Sequence, residues 1–348
     1  MYTCPDELSC NLRRIRESEG MTENSKSMWN APKGFRLPDF MICGAMKCGT
    51  STVHTLLNKH PSVFIPNPEI NFFDIDDLLQ HPDFVFRQGD EWKWPDISKA
   101  PDSFWKWYGS FFDSAPNDSL WGEDSTTYLT SSRASYRLSL QSAPVKTIIC
   151  LRQPSLRAYS QYWHMLRTGR AMFSFENTIR YTPHYVLERS MYLNQLREFM
   201  RHIPRDRIFF FVLEKYLSDK EQTLKELANF LSIRYDLFPE DVLETHSNVA
   251  TFPRSIRLQI LKNRITRSYG NRHYLKRIPF AESIADNSTP FFSRLINSLH
   301  NRLNKLEEGS APSMDSTTRS FLDSYFRQEL KGLDELVETD LESLWFSE

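Results

Sequence analysis

Predominantly apolar runs alternate with amphipathic segments along the chain. The runs cover residues 40–43, 145–151 and 207–213, and such runs are typical of strands buried on both faces. The segments that follow have apolar residues at helical spacing, at 50–59, 154–164 and 220–231. Strands alternating with helices predict an α/β fold with a central parallel sheet flanked by helices. From about residue 232 onward the pattern is mostly helical.

The first strand and helix enclose a loop, 44–49, that begins and ends with glycine. Gly44 and Gly49 permit positive φ angles and close approach of a ligand, and the helix that follows offers unpaired N–H groups and the positive end of its dipole. The spacing resembles the nucleotide P-loop, G-x-x-x-x-G-K-S/T, except that Lys47 lies inside the loop and Thr50 follows the second glycine. We predict an anion site in a P-loop-like sheet. The alternative is an ordinary glycine turn with Lys47 in solvent.

A second candidate anion site follows the strand 145–151. Arg152 comes directly after it, and Ser160 lies about two helical turns further on. Ligands of parallel sheets bind beyond the carboxyl ends of the strands, and an arginine fork holds a phosphate without a metal. The alternative is an exposed arginine and a surface serine. Glu214 lies at the end of the third strand, so the magnesium-binding acid of a Walker-type NTPase stays an open alternative.

These motifs resemble those of the sulfotransferases that use 3′-phosphoadenosine 5′-phosphosulfate (PAPS), closest to the glycosaminoglycan sulfotransferases and their bacterial relatives. Residues 44–52 resemble the family's loop for the 5′-phosphosulfate, and residues 151–160 its 3′-phosphate motif. Residues 68–74 resemble its segment K-E-x-H-F-F-D, and 122–128 its segment G-E-K-S/T-P-x-Y. The match runs with gaps from about residue 37 to residue 345. It implies one sulfotransferase domain, 37–348, and the polar residues 1–36 predict a flexible arm before it.

The resemblance implies roles for individual residues. Glu69 is the implied general base, and Lys47 would stabilise the negative charge on the departing phosphate. Arg152 and Ser160 would bind the 3′-phosphate. Further contacts to the donor are implied for Cys48, Gly49, Thr50, Ser51 and Thr52. No metal is required, and the nucleotide product is adenosine 3′,5′-bisphosphate (PAP).

Three positions depart from the family pattern near the implied base. Pro68 and Asp124 stand where the family has lysines, and Asn71 stands where it has a histidine. In relatives that sulfate polyanionic glycans, lysines near the base bind the substrate or the sulfuryl group. Their loss disfavours a polyanionic acceptor. We therefore expect a neutral or cationic small molecule or carbohydrate, sulfated at a hydroxyl or an amine and contacted by Asp74 and Asp124. Aromatic residues within 92–112 either line such a site or belong to the core.

Composition bears on partners and location. The net charge of −1 gives no global attraction to nucleic acid or to an anionic membrane, and no apolar stretch has the length of a membrane span. Five cysteines, without zinc-site spacing, favour free thiols in a reducing compartment, so we expect a cytoplasmic protein. The basic stretch 254–277 is either a solvated helix face or an anion contact. Two further classes stay open, an atypical P-loop kinase or NTPase and a catalytically silent nucleotide-binding protein.

Overall fold

A parallel sheet of five strands lies at the centre of the protein. The computed structural model describes residues 27–88, 90–244, 251–266, 291–309 and 311–346. The first seven strands are β1 (Phe40–Gly44), β2 (Val63–Phe64), β3 (Phe86–Gln88), β4 (Glu91–Lys93), β5 (Leu120–Asp124), β6 (Lys146–Leu151) and β7 (Ile208–Val212). The sheet order is β2-β5-β1-β6-β7, with every neighbouring pair parallel, whereas β3 and β4 form a separate antiparallel pair. The predicted central parallel sheet is confirmed.

Helices connect the strands and flank the sheet. They are α1 (Thr50–Asn58), α2 (Pro101–Ser110), α3 (Ser132–Ser139), α4 (Pro154–Arg167), α5 (Phe175–Tyr181), α6 (Tyr192–Phe199), α7 (Leu213–Ser218) and α8 (Lys220–Leu231). Helix α1 follows β1 and helix α4 follows β6, as predicted. Because β1 and β6 are adjacent and parallel, the N-termini of these two helices lie at the same edge of the sheet.

The C-terminal part of the chain is mostly helical, as predicted. It contains β8 (Thr251–Pro253), α9 (Ile256–Thr266), α10 (Phe291–Leu303), β9 (Leu306–Glu308), α11 (Ser316–Glu329), α12 (Leu333–Val337) and α13 (Leu341–Phe346). Strands β8 and β9 pair antiparallel. Among the residues in the described ranges, no helix is both long enough and apolar enough to cross a membrane.

Strand β5 is an element that the apolar pattern does not reveal, because it ends in Gly122, Glu123 and Asp124. Its place in the sheet explains the glycine. Gly122 pairs with Phe40 of β1, and a Cβ atom at position 122 would lie 2.2 Å from the Phe40 ring. The same register sets Asp124 opposite Ile42, close to the start of the loop 44–49.

The flexible arm predicted for residues 1–36 stays a prediction, because the structure describes only residues 27–36 of it. Residues 1–26 lie outside the described residues, but Trp29 is 1% exposed. Its ring packs against Phe72 with centroids 5.6 Å apart, and the guanidinium of Arg137 lies over the same ring, 3.5 Å from the ring centroid. This cation–π contact and the burial of the indole tie residue 29 to the domain.

The aromatic residues within 92–112 divide between core and surface. Trp105 and Tyr108 of α2 are buried, and the Tyr108 ring stacks on Phe72 with centroids 4.3 Å apart. Trp92 and Trp94 are exposed. Helix α2 therefore packs against the segment 68–74 through Tyr108, and its buried aromatic residues belong to the core.

The basic stretch 254–277 is only partly described. Arg254, Arg257 and Arg264 are exposed, which favours the solvated-face interpretation for these three residues. Asn263, on the opposite side of α9, is buried. Its amide donates to the carbonyls of residues 166 and 171, each at 2.9 Å. Lys262 is half-buried. Four further basic residues of the stretch lie outside the described residues, namely Arg267, Arg272, Lys276 and Arg277.

Candidate active site

The loop 44–49 has the backbone of an anion site. Gly44, Lys47 and Gly49 have φ angles of 118°, 71° and 94°. A side chain at Gly44 would meet the carbonyl oxygen of Thr126 at 2.5 Å, so the loop depends on glycine there. Gly49 is the N-cap of α1 and no side chain caps this helix. The first turn of α1, with buried Thr50 and exposed Ser51, can therefore offer N–H groups to a bound anion.

Lys47 lies within a group of positively charged side chains. Burial lowers its pKa, and the charges of Arg167, Arg152 and Arg157 lower it further, whereas Glu69 opposes this shift. The loop is joined directly to the second predicted anion site, because Nη1 of Arg152 donates to the carbonyl oxygen of Lys47 at 3.4 Å. Such a group of desolvated cations favours a ligand with several negative charges.

The segment Arg152 to Ser160 is fixed at the start of α4. Gln153 caps the helix by accepting a hydrogen bond from the N–H of residue 156 at 2.7 Å, and its amide donates to Asp323 of α11 at 2.6 Å. Arg152 and Ser160 are both half-buried. The two sites predicted from the sequence thus lie together at the carboxyl edge of β1 and β6.

Glu214 does not present a free acid at this edge. Its Oε1 accepts a hydrogen bond from the N–H of Gln153 at 2.9 Å, and its Oε2 accepts one from the indole of Trp345 at 3.0 Å. Both oxygens thus join α4 to the C-terminal helix α13. This structural use does not favour the magnesium-binding role that the sequence left open.

Glu69 lies close to the loop 44–49. Its Oε2 accepts a hydrogen bond from Oγ1 of Thr126 at 3.0 Å, and Thr126 is the residue whose carbonyl approaches Gly44. Its negative charge acts on Lys47. The carboxylate is half-buried and is oriented by a hydroxyl, which is the arrangement that a general base requires. Its catalytic role stays a prediction.

Asp74 and Asp124, the two predicted acceptor contacts, are both buried. Asp74 is fully buried, and its Oδ1 lies 2.9 Å from Nε2 of His81. Its contact with the acceptor stays a prediction. Asp124 is 5% exposed and pairs with Nδ1 of His54 at 3.3 Å. Burial raises the pKa of Asp124, although the hydrogen bond from His54 opposes the shift. Within the described part of the chain, its Oδ1 has no hydrogen-bond partner. The contact of Asp124 with the acceptor substrate stays a prediction.

Asn71 and Glu123 hold the segments 68–74 and 122–128 together. Asn71 is left-handed with φ 57°, a conformation that asparagine tolerates, and its N–H donates to Oγ of Ser125 at 2.9 Å. Glu123 is buried and accepts hydrogen bonds from Ser125, Tyr108 and Tyr128. Burial raises the pKa of Glu123 to about 7. This anchoring role was not predicted, because the partners of Glu123 are not evident from its motif.

Two more residues at the site were missed by sequence reasoning. His164 lies one helical turn after Ser160, and that spacing was a usable signal. Burial lowers the pKa of His164 to about 3, with the charges of Lys47, Arg170 and Arg167 adding to the effect. His164 is therefore neutral beside the cationic group. Arg167, at the end of α4, contributes to that group and donates to the carbonyl oxygen of residue 251 at 3.2 Å.

Comparison with known proteins identifies the family. The sulfotransferase family model matches residues 38–237. The chain belongs to the sulfotransferase family. The predicted resemblance is confirmed, and the match includes all four motifs on which it rested.

Individual relatives match parts of the chain. Mouse heparan sulfate glucosamine 3-O-sulfotransferase 5 is 24% identical over 209 residues, covering 57% of this chain and 54% of the relative. Bovine bifunctional heparan sulfate N-deacetylase/N-sulfotransferase 2 is 32% identical over 148 residues, covering 41% of this chain and 15% of the relative. The chain thus spans about half the length of the 3-O-sulfotransferase that it matches.

A solved structure supports the fold. The crystal structure of a sulfotransferase from Alicyclobacillus acidocaldarius has a TM-score of 0.57 and 21% sequence identity, and the match covers 89% of this chain and 99% of that one. At this identity the likeness concerns the fold. Among the described residues, no group of three or more His, Cys, Asp or Glu side chains is arranged to hold a metal ion.

Proposed function

We propose that the protein transfers a sulfuryl group from PAPS to a hydroxyl or an amine of a small-molecule or carbohydrate acceptor. The observation that carries this proposal is the pairing of two anion sites at one sheet edge. The loop 44–49 is joined to Arg152 by the hydrogen bond to the Lys47 carbonyl. PAPS carries a phosphosulfate on its 5′ oxygen and a phosphate on its 3′ oxygen, so a donor with two separate anionic groups fits two adjacent anion sites.

Each site would hold one end of the donor. The loop N–H groups and the side chains of residues 47–52 bind the 5′-phosphosulfate, and Arg152 and Ser160 bind the 3′-phosphate. Arginine and backbone N–H groups bind phosphate without a metal. Metal independence stays a prediction of the proposal.

Glu69 and Lys47 perform the transfer step. Glu69, oriented by Thr126, removes the proton from the acceptor. The acceptor oxygen or nitrogen forms a bond to sulfur while the bond from sulfur to the nucleotide phosphate breaks. Lys47 stabilises the electron pair that remains on the phosphate oxygen, as a preorganised donor in a partly desolvated site. PAP then leaves.

The acceptor is proposed to be neutral or cationic. Relatives named for heparan sulfate support a carbohydrate. Pro68 and Asp124 nevertheless remove positive charge beside Glu69, and the Oδ1 oxygen of Asp124 has no hydrogen-bond partner within the described ranges. A carboxylate oxygen with spare capacity suits an amine or a sugar hydroxyl better than a sulfate group.

We further propose a cytoplasmic location, with no nucleic-acid or membrane partner. Cys43, Cys48 and Cys150 are free and buried. Burial raises the pKa of the Cys48 thiol to about 11, so little reactive thiolate forms at neutral pH. Cys4 and Cys10 lie outside the described residues. These features support a reducing compartment.

Thermal unfolding in the presence of PAP tests the donor proposal. PAP without magnesium should raise the melting temperature, because a ligand that binds only the folded state stabilises it by about 2.7 kcal/mol at 100 times its Kd. Lys47→Ala should show a smaller shift. A shift with magnesium-ATP but none with PAP would favour the kinase or NTPase interpretation and overturn the proposal.

An acceptor screen tests the transfer itself. Labelled PAPS is incubated with neutral sugars, amines and heparan sulfate, with Lys47→Ala as the blank. Neutral or cationic acceptors should be labelled faster than heparan sulfate. The reverse order would contradict the acceptor preference, and PAP binding without labelling of any acceptor would favour a catalytically silent nucleotide-binding protein.

A further inference from the structure

Arg189 contacts the donor loop through the side chain of Met46. It lies in the 3-10 turn Glu188–Ser190, directly before α6. Its Nη1 is 3.6 Å from Sδ of Met46, the residue before Lys47. Its Nη2 donates to Oε1 of Gln80 at 3.0 Å. The guanidinium is thus held against the loop, a contact that the sequence did not predict.

The Arg189 guanidinium also lies within the electrostatic field of the predicted base. The carboxylates of Asp74, Glu188 and Glu69 favour its charged form, whereas burial and the charge of Arg157 oppose it, and the pKa of Arg189 is lowered to about 10. The side chain is therefore still positively charged at neutral pH. It lies against the loop that would hold the leaving phosphate, and the charge of the carboxylate that would deprotonate the acceptor acts on it.

No carboxylate pairs directly with Arg189 in the part of the chain that the structure describes. Its two hydrogen-bond partners, Met46 and Gln80, are both neutral, and Arg189 makes no ion pair with any residue in the described ranges. Gln80 is fixed in turn, because Oγ1 of Thr130 donates to the same Oε1 at 2.7 Å. The carboxylates of Asp74, Glu188 and Glu69 act on this half-buried guanidinium without pairing with it directly. Its remaining N–H groups can therefore bind an anionic ligand.

We propose that Arg189 binds the sulfuryl group of the donor, through the oxygens that stay on sulfur during transfer. The inference rests on the proposed function and names a further catalytic residue for it. Between the loop and Glu69, the reacting sulfur is the group that must be present, and the planar fork of arginine fits two of its oxygens. Arg189 thereby supplies positive charge that the departures at Pro68 and Asp124 remove from this region.

Arg189 forms and breaks no covalent bond in the sulfuryl transfer step. The bond from sulfur to the acceptor forms, the bond from sulfur to the phosphate oxygen breaks, and the proton passes to Glu69. Arg189 donates hydrogen bonds throughout and exchanges no proton. It holds the sulfuryl group in line between the acceptor atom and the phosphate oxygen, and so contributes by position and by charge.

Affinities for PAPS and PAP, measured without an acceptor, isolate the contact with the sulfuryl group. The two ligands differ by that group alone. Arg189→Gln should weaken PAPS binding about tenfold or more, since a hydrogen bond to a charged group contributes about 1.5–3 kcal/mol. PAP binding should change less than about twofold. Arg189→Lys should keep part of the preference for PAPS, because it keeps the charge but not the fork.

Arg197→Gln is the matched control, because Arg197 is exposed on α6 close to Arg189 in sequence. It should leave both affinities unchanged. Equal losses of PAPS and PAP affinity in Arg189→Gln would show a merely structural role and overturn the inference, as would unchanged PAPS affinity with a raised KM for the acceptor. If Arg189→Gln does not fold, Arg189→Lys decides by the same comparison. Failure of the wild type to bind either nucleotide is a separate result, which overturns the proposed function itself.

Discussion

The donor side and the acceptor side of the candidate site are built in different ways. The donor side, formed by the loop 44–49 and the segment 152–160, depends on backbone geometry at the ends of β1 and β6. Its glycines have positive φ angles, and two helices begin there. The acceptor side, formed by the segments 68–74 and 122–128, is held together by side-chain hydrogen bonds, such as those of Glu123 and Thr126.

This difference determines which side of the candidate site tolerates amino-acid substitutions. A donor side made from backbone N–H groups tolerates few alternatives, because a Cβ atom at Gly44 would collide with the carbonyl of Thr126. On the acceptor side, single side chains can be exchanged while the hydrogen-bonded frame remains. The departures from the family pattern, Pro68, Asn71 and Asp124, all lie on the acceptor side. We infer that donor use is fixed by the fold and that acceptor choice is adjustable.

Loss of Lys47 should have the largest effect, because it removes the charged centre of the donor side. Lys47→Ala should lower the rate of labelled sulfate transfer by about 10²–10³-fold, the usual effect of removing a preorganised donor to developing charge. Lys106→Ala, at an exposed position of α2, is the control and should retain full activity. Retention of more than about a tenth of the wild-type rate in Lys47→Ala would contradict this role.

Loss of the base Glu69 should impair the transfer step without weakening binding on the donor side. Glu69→Gln should lower kcat by about 10²-fold, while the affinity for PAP stays within about twofold of wild type, because the donor side is intact. Transfer rates and PAP binding are measured on the same preparation. Glu335→Gln, at an exposed position of α12, serves as the control. A parallel loss of PAP affinity would show that the two sides are not independent.

Thr126 tests whether the orientation of Glu69 matters. Thr126→Val removes the hydroxyl that donates to Glu69 and should lower kcat about tenfold, the value of one hydrogen bond to a charged group. Thr126→Ser keeps the hydroxyl and should remain close to wild type. Equal rates for the two variants would show that the bond does not position the base.

The smallest expected effect is on stability and concerns Glu123. Burial raises the pKa of Glu123 to about 7 in the folded state, above the unfolded value of about 4.3. The folded state thus favours the protonated form, so this contribution to stability is complete below about pH 4 and is lost as the pH rises through about 7. Glu123→Gln cannot ionise, so its melting temperature should fall less than that of wild type between about pH 5 and 8. Parallel curves would contradict the raised pKa.

The contrast between the two sides also explains how much the sequence could predict. Strands β1, β6 and β7 and the loop 44–49 were predictable, because an apolar run and a glycine pair are local signals. Strand β5 was not, because its polar residues are satisfied by distant partners, as Glu123 is by Tyr108. Arg189 gave no local signal either, since Met46 lies 143 residues away from it in the sequence.

The central claim, a donor site with two joined anion sites, is tested most directly by comparing the affinities for PAP and adenosine 5′-phosphate in the absence of metal. The two ligands differ by the 3′-phosphate. Wild type should prefer PAP by about 10²-fold, because Arg152 and Ser160 would each supply a charge-assisted hydrogen bond. Arg152→Ala should lose most of that preference and keep its affinity for adenosine 5′-phosphate. Equal wild-type affinities for the two ligands, or an unchanged preference in Arg152→Ala, would contradict the account.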